Sequence, residues 1–174
     1  MSTTLYLVRH GETVDNVAQI MQGQRQGELT PDGIAQIERL ASRLRDCCPD
    51  YIVASDLQRS RHSAQILAAV FQLPVVCTPL LRERDWGDFT GRYIPDLQGL
   101  PMPGNVETIE ALRQRALSFI RWVDALPAPG GSSQKLVMAV GHGIINKAIQ
   151  AVHFGKRMPE IPKMQNAEYR VLEW

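Results

Sequence analysis

Two histidines stand directly after apolar runs of the sequence, and a glycine follows each of them. Residues 5–8 are apolar and lead into Arg9 and His10, while residues 135–140 form a second largely apolar run that leads to His142. A neutral imidazole can act as a nucleophile or as a general acid or base, and a guanidinium binds phosphate through two parallel hydrogen bonds. These residue types therefore indicate chemistry on an anionic group, provided that the fold brings the two histidines together.

Short apolar segments alternate with amphipathic ones along the chain. This pattern predicts an α/β fold, a three-layer sandwich in which a mostly parallel central sheet carries helices on both faces. The predicted strands are residues 5–8, 51–54, 73–77, 135–140 and 169–172. Thr30 and Pro31 signal the start of a helix that Pro49 ends.

Other helices are predicted with less distinct ends. They are a short helix within residues 13–22, one capped by Ser55 or Asp56 that buries Ile66, Val70 and Phe71, a long one capped by Asn105, and one over residues 144–152. Residues 78–105 are rich in glycine and proline, and we expect them to form a loop with little regular structure, in which about residues 92–105 provide a small, loop-like cap.

The carboxyl ends of parallel strands meet at one edge of a sheet, where α/β proteins bind their ligands. We therefore expect His10 and His142 to emerge side by side. Arg59 falls in the first turn of the helix after the second strand and can point to that edge, and Glu83 lies just beyond the third strand. Two arginines, two histidines and nearby helix N-termini would form a phosphate pocket with no metal.

Composition narrows the function classes further. At 174 residues, with 44% hydrophobic and 21% charged residues, the chain is expected to form a single domain, residues 1–174. A net charge of +1 and scattered arginines argue against a nucleic-acid partner. Three cysteines, no zinc-type spacing, no signal-peptide pattern and no run of transmembrane length predict a cytoplasmic protein without membrane contact, metal or cofactor. The oligomeric state is not readable from the sequence.

The motifs resemble, in order, those of the histidine phosphatase superfamily, which includes the cofactor-dependent phosphoglycerate mutases. The matching segments are LVRHGET with Asn16, Gly23 followed by LTPDG, SDLQRSRHSA, LRERDWGDFTG, VGHG and QNAEYRVLEW. The resemblance implies that His10 becomes phosphorylated, that Arg9, Arg59 and His142 hold the phosphoryl oxygens, and that Glu83 is the general acid and base. It also implies that the substrate site is lined by Asn16, Gln22, Gly23 and Gly143.

Three functions remain open at this level. The first is a phosphatase for a small phosphomonoester, the second a phosphoglycerate mutase, and the third a phosphoryl-sensing module without catalysis. A mutase must exclude water, and the short cap favours hydrolysis. Glu83 could instead be a surface carboxylate paired with Arg82 or Arg84. Trp86 and Phe89 suit either the pocket mouth or the core, and we expect Glu107 to act through its charge at a helix N-terminus.

Overall fold

A five-stranded sheet forms the centre of the molecule in a computed structural model, which describes residues 2–174. The strands are β1 (Ser2–Arg9), β2 (Tyr51–Ala54), β3 (Val75–Cys77), β4 (Gln134–Gly141) and β5 (Tyr169–Glu173). Their order across the sheet is β3-β2-β4-β1-β5, with β5 antiparallel to β1 and every other pair parallel. The predicted mostly parallel α/β sheet is confirmed.

Helices cover both faces of this sheet. They are α1 (Val14–Val17), α2 (Pro31–Arg43), α3 (Gln58–Phe71), α4 (Ile109–Asp124) and α5 (Gly143–His153). Helices α2 and α3 pack on one face, and α4 and α5 on the other. Successive strand residues alternate between the two resulting cores, as the two-residue period of a strand requires: Val137 and Ala139 face α4 and α5, whereas Met138 and Val140 face α2 and α3. The three-layer prediction is therefore confirmed.

Several predicted helix ends were wrong. Helix α1 is a single turn, and α4 begins three residues later than expected because the side chain of Thr108, not Asn105, caps it. Leu57 occupies the N-cap position of α3 with no side-chain hydrogen bond, so neither Ser55 nor Asp56 caps that helix. The hydroxyl of Ser55 instead contacts the ring of His142.

The buried face of α3 is also not the one predicted. It consists of small and polar residues around one large apolar side chain, Leu67, whereas Val70 is 46% exposed and Ile66 and Phe71 are only partly buried. The buried residues are Arg59, Ser60, Ser63, Ala64, Leu67 and Ala68. The start of α3 faces the edge of the sheet where β1 and β4 end, and polar groups there bond to backbone rather than to apolar side chains.

Gly11 is required by packing rather than by a turn. A Cβ atom on Gly11 would lie 2.5 Å from the carbonyl oxygen of Gly33, and one on Gly33 would lie 2.1 Å from that of Glu12. The two glycines therefore let the segment after β1 lie directly against the start of α2.

The segment after β3 forms the cap. It contains three short 3-10 turns, Pro79–Leu81, Gly87–Phe89 and Ile94–Leu97, and is otherwise irregular, close to the predicted loop. Two further 3-10 turns, Pro129–Gly131 and Met158–Glu160, lie outside it. Within residues 2–174 no helix combines the length and apolarity that a membrane span needs.

Candidate active site

His10 and His142 meet at the carboxyl edge of the sheet. Strands β1 and β4 are adjacent and parallel, with Arg9 opposite Gly141, so the next residue of each strand is a histidine. The two rings pack edge to face with their centroids 5.1 Å apart. Both rings are buried. The topology thus produces the pair that the sequence suggested.

Hydrogen bonding defines which nitrogen of His10 is free. Its Nδ1 lies 2.7 Å from the carbonyl oxygen of Gly11. A carbonyl can only accept, so Nδ1 carries the proton and Nε2 keeps its lone pair. Burial lowers the pKa of His10 well below its usual value, and the charges of Arg59 and Arg9 lower it further. His10 is therefore neutral near pH 7, the state that a nucleophile needs.

His142 has the same proton placement, set by a different partner. Its Nε2 lies 2.7 Å from Oγ of Ser55, and that oxygen also accepts a hydrogen bond from the amide of Leu57 at 3.3 Å. Within the described residues the Ser55 hydroxyl has no other acceptor, so it donates to Nε2 and leaves the proton of His142 on Nδ1. That Nδ1 is buried without a partner among the same residues. Burial first, then Arg59, lowers the pKa of His142.

Arg9 and Arg59 line a cavity of about 240 Å³ next to His10. Two separate loops position the guanidinium groups. Arg9 donates to the carbonyl of Met164 at 2.6 Å, and Arg59 donates to the carbonyl of Gly23 at 2.7 Å. The Nε atoms of both arginines are buried with no partner in residues 2–174. Burial lowers the pKa of Arg59 to about 10, so it stays charged at neutral pH.

Glu83 also lines this cavity, with its carboxylate at the N-terminus of α5. Oε1 accepts the amides of Arg84 at 2.8 Å, Ile145 at 3.0 Å and Ile144 at 3.2 Å. Oε2 accepts only the amide of Ile144, at 3.0 Å. The four contacts fix the carboxylate, and Oε2 keeps the greater capacity to take up a proton.

The rival interpretation of Glu83, a surface carboxylate paired with its neighbours, does not agree with this geometry. Arg82 forms a two-bond ion pair with Asp56, at 2.7 and 2.6 Å. Arg84 donates to the carbonyl of Glu107 and lies 4.5 Å from the centre of the Trp86 ring. Neither guanidinium contacts the Glu83 carboxylate.

Arg115, which the sequence analysis missed, holds the backbone of the Glu83 segment. From α4 it donates to the carbonyls of Leu80 at 3.0 Å, Arg82 at 2.5 Å and Glu83 at 3.3 Å. Its charge is balanced by Glu107, at 2.8 and 2.9 Å. Glu107 lies directly before Thr108, the N-cap of α4, as the sequence suggested, and the ion pair with Arg115 is a contact that the sequence did not predict. An arginine on an amphipathic helix gives no sequence signal of such a role.

The remaining predicted site residues surround the same cavity. Asn16, Gln22, Gly23 and Gly143 all line it. Gln22 accepts a hydrogen bond from Thr13 at 2.9 Å, and the α-carbon of Gly143 lies between Arg9 and Glu83, since a Cβ there would be 3.6 and 3.7 Å from their side chains. Lys163 is a further lining residue that the sequence analysis did not identify.

Asn166 holds the backbone of His10. Its Nδ2 lies 3.1 Å from the carbonyl of His10 and 3.2 Å from Oδ1 of Asn16. The residue belongs to the terminal motif of the chain, which was the only signal for it. His62 lies apart from the site, and His153 packs at the end of α5 against Phe154 and Trp174. Across residues 2–174, no group of three or more His, Cys, Asp or Glu side chains is placed to hold a metal ion.

The sequence model of the histidine phosphatase superfamily (branch 1) matches residues 5–174. The chain belongs to this superfamily. The match covers the whole site, from His10 to Asn166, and agrees with the ordered motifs of the sequence.

Proteins of known structure are similar to this chain over almost its whole fold. A mycobacterial glucosyl-3-phosphoglycerate phosphatase is 27% identical with a TM-score of 0.85, covering 99% of this chain and 91% of that one. The α-ribazole phosphatase of Shigella flexneri is 26% identical with a TM-score of 0.83, covering 97% and 89%. Both names describe phosphatases of small phosphorylated metabolites.

A curated relative carries a different name. The "Probable phosphoglycerate mutase GpmB" of Proteus mirabilis is 41% identical over 93 residues, which are 53% of this chain and 43% of the relative. The chain thus matches less than half the length of that relative.

Proposed function

We propose that this protein is a metal-independent phosphomonoester phosphatase that works through a phosphohistidine on His10. The observation that carries the proposal is a neutral His10, with the lone pair on Nε2, beside two guanidinium groups whose Nε atoms have no partner within the described residues. A phosphoryl group has three equatorial oxygens that need such donors, and charge stabilisation is the main catalytic requirement in phosphoryl transfer.

In the first half-reaction, Nε2 of His10 attacks phosphorus in line and the ester P–O bond breaks. Arg9, Arg59 and Nδ1–H of His142 stabilise the equatorial oxygens. Glu83, protonated on Oε2, gives its proton to the leaving oxygen, so an alcohol departs rather than an alkoxide. The Gly11 carbonyl holds Nδ1–H of His10 and stabilises the positive charge that the ring gains when Nε2 bonds to phosphorus.

In the second half-reaction, Glu83 is a carboxylate and takes a proton from water. The water oxygen forms a bond to phosphorus as the N–P bond to His10 breaks, which releases phosphate and returns Nε2 to its neutral state. Glu83 recovers its proton in this step. Each residue thus ends the cycle in its starting state.

A small phosphorylated metabolite is the proposed substrate, as the names of the structural relatives suggest. Hydrolysis is favoured over a mutase reaction because the cap over the cavity consists of short 3-10 turns and loop, which leave the site accessible to water. A sensing module would not need a neutral nucleophile facing a fixed carboxylate.

The test is hydrolysis of p-nitrophenyl phosphate in excess chelator by wild type and His10→Ala. A matched control is His62→Ala, which removes a partly buried histidine of α3 away from the cavity. We expect turnover in wild type and His62→Ala, and loss of at least ~10³-fold in His10→Ala, because removal of a covalent nucleophile disables the main pathway. Rapid acid-free quenching with labelled substrate should trap label on His10.

Turnover that survives His10→Ala would refute the mechanism. Phosphate transfer from labelled wild type to a phosphoglycerate, faster than to water, would identify a mutase instead. Phosphate binding with no turnover on any ester would leave the sensing module as the function.

A further inference from the structure

An apolar groove of about 470 Å³ continues from the phosphoryl cavity into the cap. The two spaces share Met21, Trp86 and Ile94 as lining residues. A group attached to a phosphoryl group in the cavity therefore has a direct path into the groove. We propose that this groove binds the leaving group of the substrate, and that the substrate is a phosphomonoester of an alcohol with an apolar, preferably aromatic, substituent. This inference rests on the proposed phosphatase function.

The lining of the groove defines this chemical class. It contains one amide, from Gln98, and no charged side chain; the principal apolar residues are Met21, Trp86, Phe89, Ile94, Leu97 and Met102. A polyol or sugar needs many hydrogen-bond partners, and a carboxylate needs a cation, so both would be desolvated here without compensation. Two methionines beside an indole suit a flat ring, because thioethers make favourable contacts with aromatic edges.

The groove lies on the leaving-group side of the site. Glu83 protonates the leaving oxygen in the proposed mechanism, and Trp86 follows it three residues later in the same segment. The leaving group must depart from the side opposite His10, since attack is in line. Trp86 lines both the cavity that contains Glu83 and the groove, so the apolar surface lies next to the group that would protonate the leaving oxygen.

Backbone hydrogen bonds fix the groove in shape. The amide of Met21 donates to the carbonyl of Arg92 at 2.9 Å, and that of Ile94 donates to Gln19 at 2.8 Å, which joins the cap to the loop after α1. The guanidinium of Arg84 covers one face of the Trp86 ring, with 4.5 Å to its centre. A preformed groove of this kind can bind a ligand without a large cost of ordering the protein.

Exposed apolar side chains at the rim support the same conclusion. Ile94 is 44% and Met102 57% exposed, and both line the groove together with Trp86, so they belong to one contiguous apolar surface rather than to scattered exposed side chains. Their position at an opening that connects with the cavity links this exposure to the substrate.

The experiment compares kcat/KM of wild type for 2-phenylethyl phosphate, ethyl phosphate and 3-phosphoglycerate. The two alcohols have similar basicity, so their comparison isolates binding of the ring from leaving-group reactivity. We expect 2-phenylethyl phosphate to exceed both others by about tenfold or more, the discrimination that an apolar pocket supplies for added apolar groups.

Two variants of one exposed residue locate the effect. Met102→Ala should lower the ratio of kcat/KM for phenylethyl over ethyl phosphate by about threefold, and Met102→Glu by about tenfold, because a charge must be desolvated beside the ring. Leu100→Ala is the matched control: Leu100 is 44% exposed in the same cap but does not line the groove, so the ratio should stay at the wild-type value.

A binding measurement separates this inference from the proposed function. Calorimetry on wild type compares 3-phenylpropylphosphonate with propylphosphonate, neither of which can be hydrolysed. Tighter binding of the phenyl compound without any hydrolysis of the esters would refute the phosphatase but support the groove. Hydrolysis with equal kcat/KM for all three esters, or a Met102 effect no larger than that of Leu100→Ala, would refute the groove and leave the phosphatase standing.

Discussion

Ser55→Ala should release the ring of His142 and weaken catalysis without removing any charge from the site. The change removes the 2.7 Å hydrogen bond to Nε2 and the acceptor of the Leu57 amide. A buried polar group left without its partner costs about 1–3 kcal/mol. If that cost falls on the transition state, kcat/KM decreases by roughly 5- to 160-fold, since 1.36 kcal/mol corresponds to tenfold in rate.

The assay has two independent readouts. Nitrogen-15 chemical shifts of the His142 ring report the tautomer directly, and we expect a proton on Nδ1 in wild type and a mixture of tautomers in Ser55→Ala. Steady-state kinetics with p-nitrophenyl phosphate give the loss in kcat/KM. The matched control is Ser60→Ala, because Ser60 is equally buried. Its hydroxyl donates to the carbonyl of Val140 at 2.6 Å and accepts the backbone amide of Ser55 at 3.1 Å, so the variant disturbs the same segment without removing a contact to His142.

Two results would refute the reasoning. A wild-type ring protonated on Nε2 would mean that Ser55 accepts rather than donates. The second result is an equal loss of kcat/KM in Ser55→Ala and Ser60→Ala when both variants lose the same stability. Ser55 would then stabilise the fold without orienting the ring of His142.

Three further predictions concern stability. His10 and His142 have pKa values held well below the usual 6.5 by burial, so below pH 6.5 the unfolded chain binds protons that the folded chain does not. The unfolding free energy should therefore fall between pH 6.5 and 5.5 by up to about 1 kcal/mol per histidine; urea titrations at both pH values would reveal this, and an unchanged midpoint would contradict it. Gly33→Ala should lower the unfolding free energy by about 1–3 kcal/mol or more, because its Cβ would lie 2.1 Å from a backbone carbonyl oxygen. Gly104→Ala is the control, since a Cβ there would meet no other atom, and its melting temperature should equal that of wild type. Equal melting temperatures for the two variants would disprove the contact at Gly33. Arg115→Met should lower the unfolding free energy by at least ~2 kcal/mol, because the carboxylate of Glu107 is left unpaired. The loss should be smaller than the ~3–5 kcal/mol found for fully buried pairs, since both side chains are partly exposed. A loss below ~1 kcal/mol would show that the ion pair does not stabilise the fold.

Strands β1 to β4 were predictable from the sequence because each contains a short apolar run that ends at a polar residue or a glycine. The pairing of His10 with His142 followed from one further rule, that parallel strands share their carboxyl edge. Arg59 was predictable for a similar reason, since its distance from the end of β2 places it in the first turn of α3.

Helix ends were harder to predict, because several residues near each end have capping side chains. Asn105 is as good a cap by type as Thr108, but its side chain is bonded to Asp88 of the cap. Ser55 has the same ambiguity, since a serine before a helix predicts a cap, while its hydroxyl instead bonds to a ring 87 residues away. Local propensity cannot distinguish such long-range partners.

The sequence by itself determined the fold class, the superfamily and most of the polar residues that line the central cavity, because these depend on residue types at short spacings and on strand order. Only the tertiary structure decided the proton positions on the two histidines, the support of the Glu83 segment by Arg115 and the apolar groove in the cap. Each of these depends on atoms from segments far apart in the chain, and a hydrogen bond or a shared surface exists only once the folded backbone places them within a few ångströms.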